Sequence, residues 1–468
     1  MRLARAVPAW LVLLGASLLT CGHAETAVAQ PAPQIEARYV VMGPDGEARA
    51  RVITAAGTCP ALVVDGTAMV MELRAAAATE PQRPTKSSPQ DSKPSAFPVR
   101  VCEAILPVDA HAASAEGLTL PIPRKQARRI VVIGDTGCRL KAADNAWQAC
   151  NDPAAYPFAR IAALAAAWKP DLVVHVGDYN YRENACPQDH PGCTGSPWGY
   201  GWDTWQADFF GPGQPLLAVA PLVAIRGNHE NCARAGQGWW RFVDPRPLQA
   251  GHDCNDPAND AQADYSPAYA VPLGSRAQIV VMDLSAAGTS AFPADDPRTA
   301  QFEDSYRQLA SFARGANFTF AADHYPVLGV AAKEQQGATG FDAGNRALQG
   351  VFARLNPHII PPGVDALLAG HIHLWQQVDF GGKQPSQFIA GFSGTQEDVV
   401  PLPRKLPSDV SPAPDAAVRD FHAIVDAFGF MTLERTGSRS WRATVYSVTG
   451  EVMQRCRLRG RRSHCGAA

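Results

Sequence analysis

The apolar residues of this chain follow two different patterns, which meet near residue 125. Before that point they occur in short runs that alternate with polar residues, as expected of strands with one buried face. The runs are ARYVVM (37–42), ARARVITA (48–55), TAMVMELRA (67–75) and FPVRVCEAIL (97–106). They predict a small β-rich domain over residues 30–125, interrupted at 79–95 by a Pro-, Ser- and Lys-rich stretch that we expect to be a long mobile loop.

Beyond the segment LPIPRKQ (120–126), continuous apolar runs alternate with helical stretches. This alternation favours an α/β domain, which we place at residues 126–468. The predicted strands are RRIVVIGD (128–135), DLVVHVGD (171–178), LLAVAPLVAIRGNHE (216–230), AQIVVMDLS (277–285), NFTFAADH (317–324) and DALLAGHIH (365–373). Helices are predicted over 152–170, 296–314 and 341–356, followed by closing antiparallel strands at GFMTLER (429–435), SWRATVYSV (440–448) and EVMQRCRL (451–458).

The first residues have the features of a secretory signal peptide, which we assign to residues 1–29. Arg2 and Arg5 precede an uncharged apolar run at 8–20, and Ala27-Val28-Ala29 offers small residues for cleavage. The run is too short for a membrane span. Lipid attachment at Cys21 is an alternative, although the threonine before it fits a lipobox poorly. The sequence therefore predicts a secreted or periplasmic protein without stable membrane insertion.

Composition narrows the possible partners. Hydrophobic residues make up 46% of the chain, which is enough for a large core. The charges are nearly balanced, with 42 Lys and Arg against 44 Asp and Glu. A nucleic-acid-binding protein would need a strong basic excess, so we predict no nucleic-acid partner.

The cysteines fit an oxidising compartment. Of the 11 cysteines, Cys21 leaves with the predicted signal peptide, and none of the ten that remain forms a CxxC motif. An even number in an exported chain indicates disulfides. The spacing favours pairing between neighbours: Cys59–Cys102, Cys138–Cys150, Cys186–Cys193, Cys232–Cys254 and Cys456–Cys465.

Polar residues gather where the predicted strands of the larger domain end. The motifs are GDTG (134–137), GDYNY (177–181), GNHE (227–230), Asp323-His324 and GHIH (370–373). Any one of them could be an ordinary turn. Five in succession indicate a site, because ligands of α/β sheets bind at the carboxyl ends of strands and Asp, Asn and His suit metals. His175 alternates with valines and is predicted to be packed, whereas the Trp-rich stretch 197–210 could face substrate or be packed.

This ordered set of motifs resembles the calcineurin-like metallophosphoesterases, and within them the purple acid phosphatases, over roughly residues 128–380. The wider family usually opens with Asp-x-His, whereas Gly137 stands at the histidine position here. Purple acid phosphatases share that replacement and take a ligand from GDxxY, which Asp178 and Tyr181 match. The resemblance implies a four-layer αββα sandwich and an N-terminal domain that is similar in position to a small β-sandwich.

The resemblance also implies two metal ions. The first ion would be held by Asp135, Asp178, Tyr181 and His373, and the second by Asp178, Asn228, His324 and His371. A phenol with a pKa of about 10 ionises at neutral pH only beside a strong cation, and the hard phenolate favours Fe(III). The second set suits Zn, Fe or Mn as a divalent ion.

The function implied by the resemblance is hydrolysis of small phosphate monoesters by a hydroxide held on the two metals. His229 would contact the phosphoryl group or protonate the leaving group, and Glu230 would orient His229. Family members often carry a further histidine beyond the ligand at position 324, whereas this chain has Lys333, which is a poor general acid. A phosphodiesterase with the same metals, or a non-catalytic exported binding module, remains as an alternative.

Overall fold

The structure is a computed structural model that describes residues 34–335, 338–397 and 400–466. The predicted signal peptide and Cys21 lie outside these residues. Among the described helices, none has the length and apolar character needed to cross a membrane.

Strands dominate the described chain. In its first part they are β1 (Ile35–Met42), β2 (Ala48–Thr54), β3 (Leu62–Val64), β4 (Thr67–Met69), β5 (Glu72–Ala75), β6 (Ala78–Glu80), β7 (Ser95–Phe97), β8 (Arg100–Ile105), β9 (Ala113–Ala115), β10 (Leu118–Leu120), β11 (Arg129–Ile133), β12 (Leu140–Lys141), β13 (Ala146–Trp147), β14 (Leu172–His175) and β15 (Leu222–Ala224). The later strands are β16 (Tyr269–Gly274), β17 (Ala277–Val281), β18 (Phe318–Ala322), β19 (Val330–Gln335), β20 (Ala338–Ala343), β21 (Ala366–Ala369), β22 (Trp375–Phe380), β23 (Ser386–Ala390), β24 (Val418–Ile424), β25 (Gly429–Gly437), β26 (Ser440–Ser447), β27 (Val452–Arg459) and β28 (Arg462–Gly466).

Helices are fewer and mostly short. They are α1 (Phe158–Ala167), α2 (Trp202–Trp205), α3 (Gly211–Leu217), α4 (Gly236–Gly238), α5 (Asp260–Ala263), α6 (Arg298–Arg314) and α7 (Arg346–Ala353). The helix predicted over 341–356 is shorter than expected, because its first residues belong to the β19–β20 hairpin.

Two large mixed sheets form the centre of the fold. One has 11 strands in the order β28-β27-β26-β25-β11-β14-β15-β1-β2-β8-β5, and the other has seven in the order β16-β17-β18-β21-β23-β22-β24. Strands β11, β14 and β15 run parallel in the first sheet, and β17, β18, β21 and β23 run parallel in the second. The carboxyl ends of β11, β14, β15, β18 and β21 carry the five polar motifs.

Three apolar cores separate four layers. On β11, Ile130 and Val132 belong to the core between the sheets, whereas Val131 and Ile133 pack on the outer side with residues of α1 and α3. The second sheet likewise packs against α6 and α7 on its outer side. Strands buried on both faces need continuous apolar runs, which explains their sequence pattern. The predicted four-layer αββα sandwich is confirmed.

The N-terminal segment is β-rich, as predicted, and it continues the 11-stranded sheet. Strand β1 pairs in parallel with β15, with Val41 opposite Leu222, and β2, β8 and β5 follow outward. Strands β10, β9, β3 and β4 form a separate four-stranded sheet. The limit between two domains at residues 125 and 126 stays a prediction, since the sheet itself extends across it.

A buried charged cluster links this segment to the π-helical turn Trp239–Val243 that follows α4. The side chains of Arg51 and Arg74 both contact Glu103, at 3.0 and 3.2 Å. Their guanidinium groups also donate to main-chain carbonyl oxygens at Trp240 and Phe242, at 2.6 and 2.7 Å. Each buried charge therefore has several partners, as stability requires.

The five predicted disulfides are all present: Cys59–Cys102, Cys138–Cys150, Cys186–Cys193, Cys232–Cys254 and Cys456–Cys465. Three of them close loops that follow the motifs GDTG, GDYNY and GNHE. Such bonds typically add about 2–4 kcal/mol by restricting the unfolded chain.

The structure also describes two stretches for which the sequence analysis gave an expectation, residues 197–210 and 79–95. The Trp-rich stretch is packed: Trp202 and Trp205 are buried against Phe210 and Phe242. The loop expected at 79–95 is present between β6 and β7 and is tied to neighbouring loops, for instance through buried Arg83, which pairs with Asp260; its mobility stays a prediction.

Candidate metal centre

The seven predicted metal ligands come together at the carboxyl ends of strands from both sheets. In the first sheet, β11, β14 and β15 lead into the loops that contain Asp135, Asp178 with Tyr181, and Asn228 respectively. In the second sheet, β18 leads to His324, and β21 leads to His371 and His373. All seven side chains thus meet where the two sheets face each other.

The backbone is strained at these positions. Asp135, Asp178 and His371 have φ angles of 53°, 58° and 70°, in a region that residues with a side chain rarely adopt. Gly177 has a φ of 102°, and a Cβ atom there would lie 2.4 Å from Nδ1 of His324. Glycine is therefore required before Asp178 both for the turn and for the close approach of His324.

One set of donors surrounds the hydroxyl of Tyr181. This oxygen lies 2.7 Å from Oδ2 of Asp178, 2.9 Å from Oδ1 of Asp135 and 2.9 Å from Nε2 of His373. Since Nδ1 of His373 lies 3.0 Å from the carbonyl oxygen of Gln396, Nδ1 carries the ring proton and Nε2 presents a lone pair. A single hydroxyl proton cannot serve three acceptors, so the set fits a cation.

The second set surrounds the amide oxygen of Asn228. Nε2 of His324 and Nδ1 of His371 each lie 3.0 Å from this oxygen, and Nε2 of His324 lies 3.1 Å from Oδ2 of Asp178. Nδ1 of His324 donates to the carbonyl oxygen of Val176 at 2.8 Å, which leaves the Nε2 lone pair facing acceptor oxygens. Although burial opposes it, the charge of Asp178 raises the pKa of His324 to about 9, so a positive charge is favoured here.

Asp178 belongs to both sets through the same oxygen. Its Oδ2 atom contacts the Tyr181 hydroxyl and His324, while Oδ1 accepts the backbone N–H of His229 at 2.8 Å. The donor chemistry therefore fits two cations that share one carboxylate. Burial, together with Asp135 and Asp178, raises the pKa of Tyr181 well above its usual value, so ionisation of this phenol requires a cation.

Gly137 leaves no room for the histidine found in the wider family. A Cβ atom there would lie 2.7 Å from Oδ2 of Asp208 and 2.8 Å from the backbone N of Tyr181. Asp208 is fully buried, accepts the Tyr181 N–H at 2.9 Å and pairs with Arg182 at 2.5 Å. The carboxylate thus fills the space beside Gly137 and fixes the main chain at Tyr181.

His229 projects over the site. Its ring centre lies 3.9 Å from that of Tyr181, and its Nε2 lies 3.9 Å from Oδ2 of Asp178. Nδ1 lies 2.9 Å from Oε1 of Glu183, whose pKa is lowered to about 2 by His229 and Arg234 despite its burial. Burial and Arg234 lower the pKa of His229 itself.

Glu230 does not have the role predicted for it. Its carboxylate accepts the backbone N–H groups of residues 178, 179, 180 and 227 at 2.8–3.2 Å, and so braces both motif loops. Burial and the charge of Asp178 raise its pKa to about 8. The carboxylate beside His229 is Glu183, so the prediction that Glu230 orients His229 is wrong.

Sequence reasoning missed Glu183, Asp208, Arg234 and Tyr325. Two of them had a signal in the sequence: Glu183 lies two residues beyond Tyr181, and Tyr325 follows His324 directly. Tyr325 packs on His371 with the ring centres 4.2 Å apart. His175, predicted to be packed, is fully buried and lies 2.9 Å from the Thr136 hydroxyl.

Two clefts open beside the donor sets, and Tyr325 lines both. One has a volume of about 610 Å³ and reaches Asn228 and Arg234. The other, of about 540 Å³, reaches His371 and contains Lys333. The charge of Lys333 is matched by Asp342 at 2.6 Å, so this lysine is not a free cation over the site.

Comparison with known proteins agrees with this arrangement. Residues 128–374 match the family model described as calcineurin-like phosphoesterase. No curated protein matches the chain significantly. Among solved structures, purple acid phosphatase PPD1 from yellow lupin (Lupinus luteus) seeds is 14% identical with a TM-score of 0.50, and covers 90% of this chain and 74% of its own. PhoD is 11% identical with a TM-score of 0.50, and covers 92% of both chains. At this level of identity the two structures show a common fold.

Proposed function

Because this chain belongs to the calcineurin-like phosphoesterase family, we propose that it is an exported phosphatase that hydrolyses phosphate monoesters with two metal ions. The observation that carries the proposal is the sharing of Asp178 Oδ2 between two sets of donors whose lone pairs face one another. Burying oxygen and nitrogen lone pairs against one another costs free energy, and cations between them would remove that cost.

The residues fit two different ions. Asp135, Asp178, Tyr181 and His373 would hold Fe(III), which the phenolate oxygen favours. Asp178, Asn228, His324 and His371 would hold Zn, Fe or Mn in the divalent state. When bound, such metals would supply a nucleophile at neutral pH and stabilise charge on the attacking and leaving oxygens. Two carboxylates and one phenolate leave this pair with net positive charge, which attracts a phosphate anion.

The protein's own groups would then position the phosphate ester. Nδ1 of His229 lies 2.9 Å from Oε1 of Glu183, and this carboxylate stabilises the ring when it is protonated, with Nε2 on the side of the donor sets. In its protonated form, Nε2 donates to a phosphoryl oxygen or to the departing alkoxide. Glu230 acts at a distance from the substrate, because its four hydrogen bonds hold the loops that carry Asp178 and Asn228.

Export is supported by the disulfides. Ten cysteines in five pairs are typical of an oxidising compartment and rare in the cytosol. A secreted or periplasmic location also agrees with the apolar run at residues 8–20.

A phosphodiesterase is the second candidate, and the two clefts favour it. A diester carries two substituents on phosphorus, and the spaces on either side of Tyr325 could take one each. The metal ligands would be the same for both reactions, so only the clefts distinguish them.

The decisive experiment compares p-nitrophenyl phosphate with its bis ester on metal-loaded protein. We expect faster hydrolysis of the monoester, loss of activity with a chelator, and recovery when iron and zinc are returned. Preference for the diester would replace the monoesterase by the second candidate. Failure to hydrolyse either compound with two metals bound would contradict both and favour a binding module.

A further inference from the structure

The Pro-, Ser- and Lys-rich stretch of the N-terminal segment forms part of the wall of the larger cleft. Arg83 is buried, pairs with Asp260 and donates to the carbonyl oxygen of Cys254. Three residues later, the backbone N–H of Lys86 donates to the carbonyl oxygen of Ala233 at 3.0 Å. These contacts join the stretch to the loops that follow GNHE.

Its other end is fixed as well. The Ser87 hydroxyl lies 3.3 Å from Nδ2 of Asn184, in the loop that follows GDYNY. Nζ of Lys93 lies 4.5 Å from the centre of the Trp198 ring and 3.7 Å from Oδ2 of Asp203. The position of Lys86 is therefore set by contacts on both sides of it.

The charges lining this cleft are mostly balanced in pairs. Its three carboxylates each have an arginine partner: Asp260 with Arg83, Asp264 with Arg226, and Asp296 with Arg298. Arg234 lies 3.7 Å from Glu183, too far for a strong hydrogen bond. The Lys86 side chain is exposed, lines the cleft and has no ion pair or hydrogen bond among the described residues.

We infer that Lys86, together with Arg234, recognises a second anionic group on the leaving group of the substrate. The inference rests on the proposed phosphatase function. A phosphoryl group held near Asn228 directs its substituent into this cleft, since Asn228 and Lys86 line the same space of about 610 Å³. The substrate class is a phosphate ester whose leaving group carries a carboxylate or a second phosphate.

The arrangement gives the N-terminal segment a part in the cleft beside the metal centre. An unpaired ammonium group attracts an anion most strongly where neighbouring carboxylates are already neutralised, because no local charge competes for it. Without a second anion on the substrate, the ammonium group of Lys86 would have no ion-pair partner in the cleft. The lysine is therefore a specificity-determining residue, and the chemical step itself belongs to the metal centre.

The test uses binding of phosphonates, which the enzyme cannot hydrolyse. Phenylphosphonate, 4-carboxyphenylphosphonate and benzene-1,4-diphosphonate are titrated calorimetrically into the metal-loaded protein. We expect the two doubly anionic ligands to bind about 10-fold more tightly than phenylphosphonate. The ligand with the larger ratio of affinity to that of phenylphosphonate shows whether a carboxylate or a phosphate is the preferred second anion. In Lys86→Gln this ratio should fall toward one, whereas Lys125→Gln, at an exposed lysine that does not line the cleft, should keep it.

Equal affinity of the wild type for all three ligands, or an unchanged ratio in Lys86→Gln, would overturn the inference. Failure of the proposed function is separate from this result. It would show as absent hydrolysis of p-nitrophenyl phosphate by a protein that still binds the phosphonates with the expected ratio.

Discussion

Asp208 occupies the space that a side chain at residue 137 would need. Its Oδ2 lies only 2.7 Å from the position that a Cβ atom would take if Gly137 were replaced. The same oxygen accepts the backbone N–H of Tyr181. One buried carboxylate, that of Asp208, therefore has two effects. It excludes a histidine at residue 137, and it fixes the main chain at Tyr181.

Restoring a side chain at residue 137 should therefore harm the protein. Overpacking of a filled interior typically costs about 1–3 kcal/mol, and we expect Gly137→Ala to lower the free energy of unfolding by that amount. Gly137→His should be worse and should bind less iron, because Tyr181 is displaced. Urea unfolding and metal analysis measure both effects, with Gly57→Ala as a control at an open position. Equal stability of the two alanine variants would contradict the crowding at Gly137.

Tyr181 should give the oxidised protein a purple colour through charge transfer from phenolate to iron. Tyr181→Phe removes only the oxygen, so the colour should vanish and iron should bind at least about 10-fold more weakly. Absorption spectra with metal analysis test this, and Tyr179→Phe, a buried neighbour, should stay purple. A Tyr181→Phe protein that kept its colour and iron would refute the ligand role.

His229→Ala should retain both metals and lose about 10²–10⁴-fold in kcat. The reason is that His229 faces the donor sets without belonging to either, and its Nδ1 lies 2.9 Å from the Glu183 carboxylate. Steady-state kinetics and metal analysis test this prediction. Glu183→Gln should lower kcat as well, but by a smaller factor. If His229→Ala lost one metal, the residue would be a ligand.

The Glu103 cluster should make stability depend on pH in the acid range. Burial opposes the carboxylate, but Arg51 and Arg74 outweigh it and lower the pKa of Glu103. A lowered pKa in the folded state stabilises the protein above the unfolded pKa of about 4.3, and this stability is lost as pH falls through the folded pKa. Glu103→Gln should be less stable by about 3 kcal/mol at pH 7 and differ less from wild type at pH 3.

Urea unfolding at the two pH values measures this difference. Glu434→Gln is a suitable control, since Glu434 forms an exposed pair with Arg442 and should change stability by less than about 1 kcal/mol. If the difference in free energy of unfolding between Glu103→Gln and wild type were the same at both pH values, Glu103 would not be charged in the folded protein.

The sequence predicts the metal centre better than its surroundings, and the reason is physical. Asp135, Asp178 and Asn228 follow apolar runs directly, so identifying a strand also places the residue at the sheet edge. Glu183 and Asp208 reach the site through loops and a helical segment whose paths depend on tertiary packing. The roles of the ligands in binding metal stay predictions.

The stretch at 79–95 shows what composition leaves out. Its Pro, Ser and Lys content is typical of mobile loops, and composition alone predicted one. Composition does not reveal that Arg83 anchors this loop, because its partners Asp260 and Cys254 lie more than 170 residues away along the chain. Contacts at such distances leave no local pattern in the sequence.

The pairing of β1 with β15 limits how this enzyme can be shortened. Val41 meets Leu222 across the sheet, so removal of the N-terminal strands would expose the edge of β15, the strand that leads to Asn228. An uncovered edge invites pairing with other chains and aggregation. A truncated chain beginning at residue 126 would therefore be a poor candidate for a minimal catalytic unit, and the natural place to add or remove residues is before β1.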